Sequence, residues 1–395
     1  MIENKQNKNN SQYHKNQKNQ TNQKMKCEFI FTCQTDSEQL CLNEMKNRIN
    51  DIKLLKWLDG GAGMAGSDHC FSEISKIFRE SNLIFLRHIF PVEFIFDCDD
   101  HYDFKNGFDS VIKKYKEKFD ENRTASIQIR SKTGGKIYDL KAIKSHISEK
   151  LINYSTANPQ IVISVFISDG IIYAGISDVE ENLSAWSGGM RHYALNESVI
   201  SRAEFKLLEL FEFFPELINF DKLINLNNPE NIKKDKDVVY EIKEKPAALD
   251  LGASPGGWTK ILAEKGYKVT AVDPNQLSAV LTGNPNVEYF KGLTEDFMNF
   301  MKRSKNRGKP ELFDLIVNDM RMHAVQSAKI MADAQEYLKE GGYAVMTLKL
   351  NKGGKTVLIK EGLDILKKKY DVLFVKQFFH NRSEVTAVLR KTRKN

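Results

Sequence analysis

Cysteine is scarce in this chain of 395 residues, and no cysteine follows residue 98. The five cysteines are an odd number, and no two of them form a C-x-x-C pair. This usage excludes a disulfide framework and a cysteine-rich zinc site, so no metal centre is indicated. Unpaired thiols are typical of a reducing compartment, and a cytoplasmic location is therefore expected.

Long apolar runs are also lacking. No stretch of 18 or more apolar residues occurs, which excludes a conventional membrane-spanning helix. The first residues contain no apolar segment of the kind found in secretion signals, so we expect neither secretion nor a membrane partner. Hydrophobic residues make up 41% and charged residues 28%, which is ordinary for a globular protein. The length predicts two or three domains.

The body of the chain has almost no excess charge. The net charge is +7, but residues 1–26 hold six lysines and one glutamate, which leaves only +2 for the rest. Any nucleic-acid contact by the body must therefore be a local patch. The same segment has seven Asn, five Gln and almost nothing apolar, which predicts a disordered tail. It is either compositional drift or a basic arm that touches RNA backbone, and the sequence leaves both open.

Two mixed blocks follow the tail. Residues 27–103 predict a compact α+β domain, in which the glycine-rich stretch 57–70 is expected to be loop. Residues 104–190 predict the order helix, strand, helix, strand, strand, with a hairpin around Asp169 and Gly170. That order resembles a THUMP domain, an RNA-binding module of RNA-modification enzymes. The resemblance implies that residues 104–190 bind RNA.

The pattern changes near residue 246, where apolar strands begin to alternate with helices. Such alternation predicts a doubly wound α/β fold with a mostly parallel sheet, and we assign it to residues 195–395. Two final strands, 372–379 and 384–390, are separated by a short turn. They predict an antiparallel pair that ends the sheet.

The strongest motif is D-L-G-A-S-P-G-G-W-T at residues 250–259, which follows a strand and opens a helix. In α/β sheets this turn is where a nucleotide binds, and glycine allows close approach to it. The spacing is neither G-x-G-x-x-G nor that of a P-loop. Asp273 ends the next strand and can accept both ribose hydroxyls of an adenosine. Without a pyrophosphate cradle, S-adenosylmethionine is a better ligand for this turn than NAD.

The motif resembles the FtsJ-type family of ribose 2′-O-methyltransferases, and within it the large-subunit ribosomal RNA methyltransferase M group. The resemblance covers residues 195–395 by motif and 27–190 by architecture alone. It implies a Rossmann-like methyltransferase domain, S-adenosylmethionine as cofactor, and RNA of the large subunit, a cytidine of 23S RNA, as substrate, with no DNA partner. The cofactor-binding residues that it implies are Gly252, Ser254, Pro255, Gly256, Gly257, Trp258, Asp273 and Asp319.

That family uses a Lys-Asp-Lys-Glu tetrad, and each member has a counterpart here. The resemblance implies Lys206 in a helix before the sheet, Asp319 at the end of the fourth strand, Lys349 at the end of the fifth, and Glu384 at the start of the last. A ribose hydroxyl is a poor nucleophile until its proton is removed, and Lys349 is the candidate general base. A second cation would lower the pKa of Lys349 and Asp319 would raise it. Glu384 would orient Lys206 or the substrate hydroxyl.

Two positions depart from the family pattern. Ala203 replaces a small polar residue three positions before the first lysine, and Leu293 stands where an acid is expected to meet adenine. Adenine would then be held by backbone groups or by Asp296. Neither departure changes the cofactor assignment.

Other functions make different demands on the sequence. A methyltransferase of exocyclic amines needs Pro-Pro after the fourth strand, where this chain has Asn318-Asp319-Met320-Arg321, and a carbon-5 enzyme needs a cysteine that the domain lacks. An inactive RNA-binding protein on the same fold is the other alternative. The presence of all four tetrad residues argues against it. Trp186, Tyr193 and Phe379 are candidate platforms for an unpaired base, and each is equally compatible with the core.

Overall fold

The computed structural model describes most of the chain outside the predicted tail; the described residues are 25–98, 101–119, 121–134, 138–218, 245–305, 312–350 and 355–392. Residues 1–24 of that tail lie outside this set. The described residues form two compact units. The first contains 25–31, 46–77 and 89–182, and the second contains 32–45, 78–88 and 183–392. No helix in the described ranges is long and apolar enough to cross a membrane.

The N-terminal part of the chain begins with a four-stranded sheet and its connecting helices. In chain order the elements are β1 (Cys27–Thr32), α1 (Glu38–Arg48), β2 (Lys53–Asp59), β3 (Ala62–Ser67), α2 (Phe71–Glu80) and β4 (His88–Pro91). The strand order is β2-β3-β1-β4. The prediction of loop over 57–70 was wrong, because β3 is a fully buried strand. A Cβ on Gly63 would lie 2.6 Å from the Phe31 ring, so glycine here admits an aromatic ring against the strand.

A second four-stranded sheet has the order β5-β8-β7-β6. Its elements are β5 (Phe94–Asp97), α3 (His101–Lys114), β6 (Ala125–Ser131), α4 (Leu140–Ser148), β7 (Ile161–Ser168) and β8 (Ile171–Asp178). The hairpin prediction is confirmed: β7 and β8 pair antiparallel, and Asp169 and Gly170 between them both have positive φ. The order from α3 to β8 is the one expected, but a THUMP-like RNA-binding role stays a prediction. The expected division at residue 103 runs through α3, and β5 belongs to this sheet.

The second unit is built on a seven-stranded sheet of order β11-β10-β9-β12-β13-β15-β14. Its elements are α5 (Glu204–Phe213), β9 (Ala247–Leu251), α6 (Gly257–Glu264), β10 (Lys268–Asp273), β11 (Val287–Lys291), α7 (Thr294–Lys305), β12 (Phe313–Asn318), α8 (Ala324–Ala334), β13 (Leu338–Lys349), α9 (Lys355–Leu366), β14 (Tyr370–Lys376) and β15 (Glu384–Lys391). The strands from β9 to β13 are mutually parallel, and β15 is antiparallel to both of its neighbours. The predicted α/β fold and its antiparallel pair are confirmed.

Burial explains why these strands read as continuous apolar runs. Every residue of β9 and β12 is buried, because helices cover both faces of a parallel sheet. Side chains from α5, α6 and the sheet form one core cluster, which includes Leu207, Trp258 and Val345. The strand order reverses between β9 and β12, the point at which α/β sheets open a crevice beyond the carboxyl ends of their strands.

Two segments that lie well before the sheet in sequence, residues 32–45 and 78–88, belong to this second unit. The Gln377 N–H donates to the Ile84 carbonyl at 2.8 Å, and the Lys376 ammonium donates to the Leu83 carbonyl at 3.1 Å. Arg87 donates to the carbonyls of Gln377 and Phe378. The unit is therefore discontinuous: residues 32–45 and 78–88 complete it, although the sequence pattern places them in the block 27–103.

Candidate active site

A cleft of about 1290 Å³ opens at the carboxyl ends of β9, β10, β12 and β13. Every residue predicted for the tetrad and for cofactor binding lines this cleft except Gly256, which lies between two residues that do, and the alternative adenine contact Asp296. Parallel strands bring their carboxyl ends to one edge, so motifs that are far apart in sequence meet here. The two groups, glycine-rich turn and charged tetrad, share one cavity.

Four charged side chains form a closed ring in the cleft. The Lys206 ammonium lies 2.9 Å from Asp319 Oδ2 and 2.6 Å from Glu384 Oε1. The Lys349 ammonium lies 2.5 Å from Asp319 Oδ1 and also contacts Glu384 Oε2. Each lysine therefore contacts both carboxylates, and the formal charges of the ring cancel.

Secondary structure fixes the position of each member of the ring. Lys206 lies in the first turn of α5, Asp319 follows β12, Lys349 ends β13 and Glu384 begins β15. Lys349 and Glu384 are directly opposite each other in the antiparallel pair of β13 and β15. Residues opposed in this way lie close enough for their side chains to pair, so register alone brings these two charges together.

The ring shifts the pKa values of two of its members. Burial by itself raises the pKa of Asp319, but the ammonium groups of Lys349 and Lys206 outweigh it and hold that pKa below its usual range. Burial by itself lowers the pKa of Lys206, and the carboxylates of Asp319 and Glu384 outweigh it and raise that pKa above its usual value. Lys206 is therefore a fixed cation near neutral pH, and Asp319 is a fixed anion.

Thr347 is a fifth polar residue of the ring that the sequence analysis missed. Its hydroxyl donates to Asp319 Oδ1 at 2.6 Å and accepts from the Lys349 ammonium at 2.8 Å, and the side chain is fully buried. Residues two apart on a strand share a face, so Thr347 lies on the same face of β13 as Lys349. That spacing was a signal available in the sequence.

The turn between β9 and α6 forms the other half of the cleft. Gly252 and Gly256 have φ values of +74° and +108°, which side chains with a Cβ rarely adopt. A Cβ on Gly252 would lie 2.2 Å from Met320 Cγ, and one on Gly257 would lie 2.4 Å from Ser201 Oγ. Glycine is therefore required here by the backbone conformation and by the close packing of Met320 and Ser201 against the turn.

Polar groups suited to a nucleoside lie beside this turn. Asp273 is buried, and its carboxylate accepts from the N–H groups of Ser254 at 3.1 Å and Asn275 at 2.7 Å. These bonds orient the carboxylate and leave it lone pairs for ribose hydroxyls. Ser201 Oγ also lines the cleft, and it is buried without a hydrogen-bond partner among the described residues. A buried hydroxyl of that kind fits a site completed by a polar ligand.

Trp258, which is predicted to bind the cofactor, and the neighbouring Asp250 contribute to the packing around the glycine-rich turn. The Trp258 indole donates to the Ala203 carbonyl at 2.8 Å, which ties α6 to the start of α5. Ala203, the first departure from the family pattern, thus contributes backbone rather than a side chain. Asp250 accepts from the Thr259 hydroxyl at 2.6 Å, and burial raises its pKa to about 7.

At the second departure, the Leu293 side chain is 54% exposed, and neither Leu293 nor Asp296 lines the cleft. The prediction that backbone or Asp296 holds adenine is untested. Within the described ranges, no group of three or more His, Cys, Asp or Glu residues is arranged to hold a metal ion.

Comparison with known proteins gives a consistent family. The FtsJ-like methyltransferase family matches residues 199–395. The Ribosomal RNA large subunit methyltransferase M of Laribacter hongkongensis is 30% identical over 214 residues, which is 52% of this chain and 52% of that protein. The protein of the same name from Shewanella sp. (strain MR-4) is 24% identical over 399 residues, 92% of this chain and 98% of that protein. Against the Laribacter relative, the chain thus spans about half of the relative's length.

Solved structures show weaker likeness. TrmN from Thermus thermophilus is 12% identical, with 92% of this chain and 100% of that chain covered and a TM-score of 0.33. The N-methyltransferase NodS from Bradyrhizobium japonicum WM9, in complex with S-adenosyl-L-homocysteine, is 15% identical, with 46% and 88% covered and a TM-score of 0.28. Likeness at this level carries no conclusion about function.

Proposed function

Because residues 199–395 belong to the FtsJ-like methyltransferase family, we propose that this protein transfers a methyl group from S-adenosylmethionine to the 2′-oxygen of a ribose in large-subunit ribosomal RNA. The observation that carries the proposal is the ring of Lys206, Asp319, Lys349 and Glu384 in the same cleft as the glycine-rich turn. An inactive RNA-binding protein would not need two partly buried lysines paired with two carboxylates, because such pairs are costly to desolvate.

The cofactor would be held by the turn from Gly252 to Gly257 and by the buried residues beside it. Asp273 would accept the ribose hydroxyls, and Ser201 Oγ would hydrogen-bond a polar group of the ligand. When bound, S-adenosylmethionine supplies an electrophilic methyl group on a positively charged sulfur. The role of the chain's own residues is to orient the acceptor oxygen and to remove its proton.

Lys349 is the member of the ring suited to accept that proton. Lys206 is held as a cation by its raised pKa, which disqualifies it as a base. The Lys349 side chain is the more exposed of the two lysines, at 20% against 15% for Lys206. The Thr347 hydroxyl accepts a hydrogen bond from the Lys349 ammonium and so fixes the orientation of that ammonium. Lys349 would act as the neutral amine, whose lone pair takes the hydroxyl proton. Glu384 and Asp319 would then hold the resulting ammonium in place.

The substrate class rests on the relatives. The matched relatives from Laribacter and Shewanella are named as methyltransferases of large-subunit ribosomal RNA, and the second is matched over 98% of its length. The alternative of base methylation is disfavoured by Met320 and Arg321 after Asp319, where amine methyltransferases have Pro-Pro. A cytoplasmic location and the absence of DNA among the substrates remain predictions.

The test is a labelling experiment. The full chain is incubated with large-subunit ribosomal RNA and methyl-labelled S-adenosylmethionine, and the digested RNA is separated into nucleosides for mass spectrometry. Label on ribose is the expected result. Label on a base, or no transfer by the wild-type protein to RNA from cells that lack its gene, would contradict the proposal.

A further inference from the structure

The rim of the cleft carries aromatic and basic side chains that the proposed reaction does not use. His192, Phe379, Arg202 and Arg382 all line the cleft together with the charged ring. His192 and both arginines are exposed, and Phe379 is half-buried. Among the described residues, no carboxylate lies within ion-pair distance of either arginine.

The loop that carries Phe379, residues 377–383 between β14 and β15, is held in place through its backbone. Arg87 donates to the carbonyls of Gln377 and Phe378, each at 3.2 Å. Glu209 accepts from the N–H groups of Phe379 and His380, each at 3.0 Å. Arg87 and Glu209 thus bind backbone groups of four consecutive residues, and the charge of the Arg87 guanidinium makes its bonds stronger than neutral ones.

A side chain within the loop adds to this bracing. Asn381 Oδ1 accepts from the Phe378 N–H at 2.9 Å and from the Thr386 hydroxyl at 3.1 Å. The Gln377 amide donates to the Arg382 carbonyl at 3.2 Å. A loop that leads straight into Glu384 is therefore pre-organised, and Phe379 has a defined position in the mouth of the cleft.

The rings beside Phe379 are also fixed. His192 and Phe379 have centroids 5.0 Å apart in an edge-to-face arrangement, and the Arg87 guanidinium lies 5.7 Å from the Phe379 centroid. His380 Nε2 donates to the Arg191 carbonyl at 2.8 Å, which holds the segment of His192 against the loop. We call His192 and Phe379 together the stacking shelf.

The structure separates the three aromatic platforms considered from the sequence. The Tyr193 ring is stacked on Phe205 at 5.4 Å and also contacts His380, so both neighbours use its surface. Trp186 does not line the cleft, and the Arg191 guanidinium covers its ring at 3.9 Å. The Phe379 ring also contacts His380 at 5.0 Å, but both of its ring neighbours meet it edge to face and none is stacked on it. Of the three, Phe379 combines partial exposure, a position in the cleft and a braced backbone.

We propose that an unpaired base of the substrate RNA stacks on the Phe379 ring of the shelf, with the His192 ring at its edge, while Arg382 contacts an adjoining phosphate. The inference rests on the proposed function and identifies the part of the site that binds the substrate RNA. Proteins recognise single-stranded RNA by stacking unpaired bases on aromatic side chains, with arginine or lysine at the backbone. The shelf accepts the flat face of any base, so it supplies affinity and position rather than base identity.

The test compares two fluorescein-labelled RNA hexamers, hexauridylate and a hexamer of abasic riboses with the same backbone, by fluorescence anisotropy with the full-length protein. Phe379→Leu keeps an apolar side chain but removes the π face. It should weaken binding of hexauridylate by about 5- to 150-fold and leave the abasic hexamer unchanged. Unchanged binding of hexauridylate, or equal weakening of both hexamers, would overturn the shelf.

A matched control and a second variant keep the result interpretable. Trp186→Leu removes an aromatic ring that is 40% exposed but outside the cleft, and it should leave both affinities unchanged. Arg382→Gln should weaken both hexamers equally and reduce the salt dependence of binding by about one phosphate contact. A base-dependent loss with Arg382→Gln, or a Trp186→Leu loss as large as that of Phe379→Leu, would contradict the assignment.

This binding assay does not depend on methyl transfer. If hexauridylate binds through Phe379 but labelled ribose never forms in ribosomal RNA, the proposed function fails and the shelf stands. If ribose is labelled and Phe379→Leu binds hexauridylate as the wild type does, only the shelf fails.

Discussion

Lys349 and Glu384 are directly opposed residues of an antiparallel strand pair, and their side chains contact each other in the cleft. The last residue of β13 and the first of β15 thus present opposite charges at the edge where a ligand would bind. Asp319 and Lys206 close the ring from the neighbouring strand and from α5. The following predictions test what each part of this arrangement contributes.

Replacement of Lys349 should abolish turnover without loss of the cofactor. Removal of a general base typically costs 10²–10⁴-fold in rate, so Lys349→Ala should lose about that much activity on ribosomal RNA. Lys349→Arg should not restore it, because a guanidinium does not deprotonate. Initial rates and calorimetric titration with S-adenosylmethionine measure the two effects. Lys367→Ala, which removes an exposed lysine outside the cleft, serves as the control, and a Lys349→Ala enzyme with most of its activity would refute the role.

Thr347 should act as a positioning residue for Lys349 and Asp319. Thr347→Val keeps the shape of the side chain but removes the hydroxyl that bridges the two charged groups. Because hydrogen bonds to charged groups are among the strongest, kcat should fall about 10-fold. Thr347→Ser retains the hydroxyl and should rescue most of the rate. The pH dependence of kcat should move in the valine variant and return in the serine variant. Equal losses in both variants would point to packing alone.

Asp273 and Lys206 should affect different ligands. Asp273→Ala removes the carboxylate oriented by the N–H groups of Ser254 and Asn275, and the dissociation constant for S-adenosylmethionine should rise about 10- to 150-fold. Lys206→Ala leaves that carboxylate intact and should change cofactor affinity much less. Isothermal titration of both variants decides the matter, and similar losses in the two would be inconsistent with the assigned roles.

Asp250 should make the folded protein less stable as pH rises. Burial raises its pKa to about 7 from an ordinary value of 3.8, so the folded chain keeps a proton that the unfolded chain has lost. The free energy of unfolding should therefore fall as pH rises between about 4 and 7, by about 1.4 kcal/mol for each unit of pKa difference. Asp250→Asn keeps an acceptor for the Thr259 hydroxyl and removes the titration, so the decline should become shallower.

Urea denaturation across that pH range measures the effect. Glu209, whose pKa burial also raises to about 7, contributes to the part of the decline that Asp250→Asn leaves behind. Asp296→Asn, at an exposed position of α7, is the matched control and should leave the pH dependence unchanged. An Asp250→Asn protein with the pH dependence of the wild type would show that the raised pKa is not expressed in stability.

The parallel sheet was predictable because strands buried on both faces are uninterrupted apolar runs, at whose ends Asp319 and Lys349 stand out as charges. The other two members of the ring, Lys206 and Glu384, were expected from the family resemblance alone. The glycine-rich strand β3 was not predictable, since a local pattern does not reveal that an aromatic ring occupies the space a Cβ would take at Gly63. The place of β15 between β13 and β14 also depends on pairing that no local pattern encodes.

The discontinuity of the second unit bears on where the protein can be cut. The family match begins at residue 199, but the loop that carries Phe379 is held by Arg87, and the Gln377 N–H is bound by the Ile84 carbonyl. A fragment of residues 195–395 would keep the charged ring and the glycine-rich turn. It would keep Glu209 but lack Arg87 and Ile84, which also bind the loop, and buried peptide groups left unbound there cost free energy. Relative to the full chain, such a fragment should lose more affinity for RNA than for the cofactor. An activity assay that uses the fragment would therefore underestimate the activity of the full-length protein.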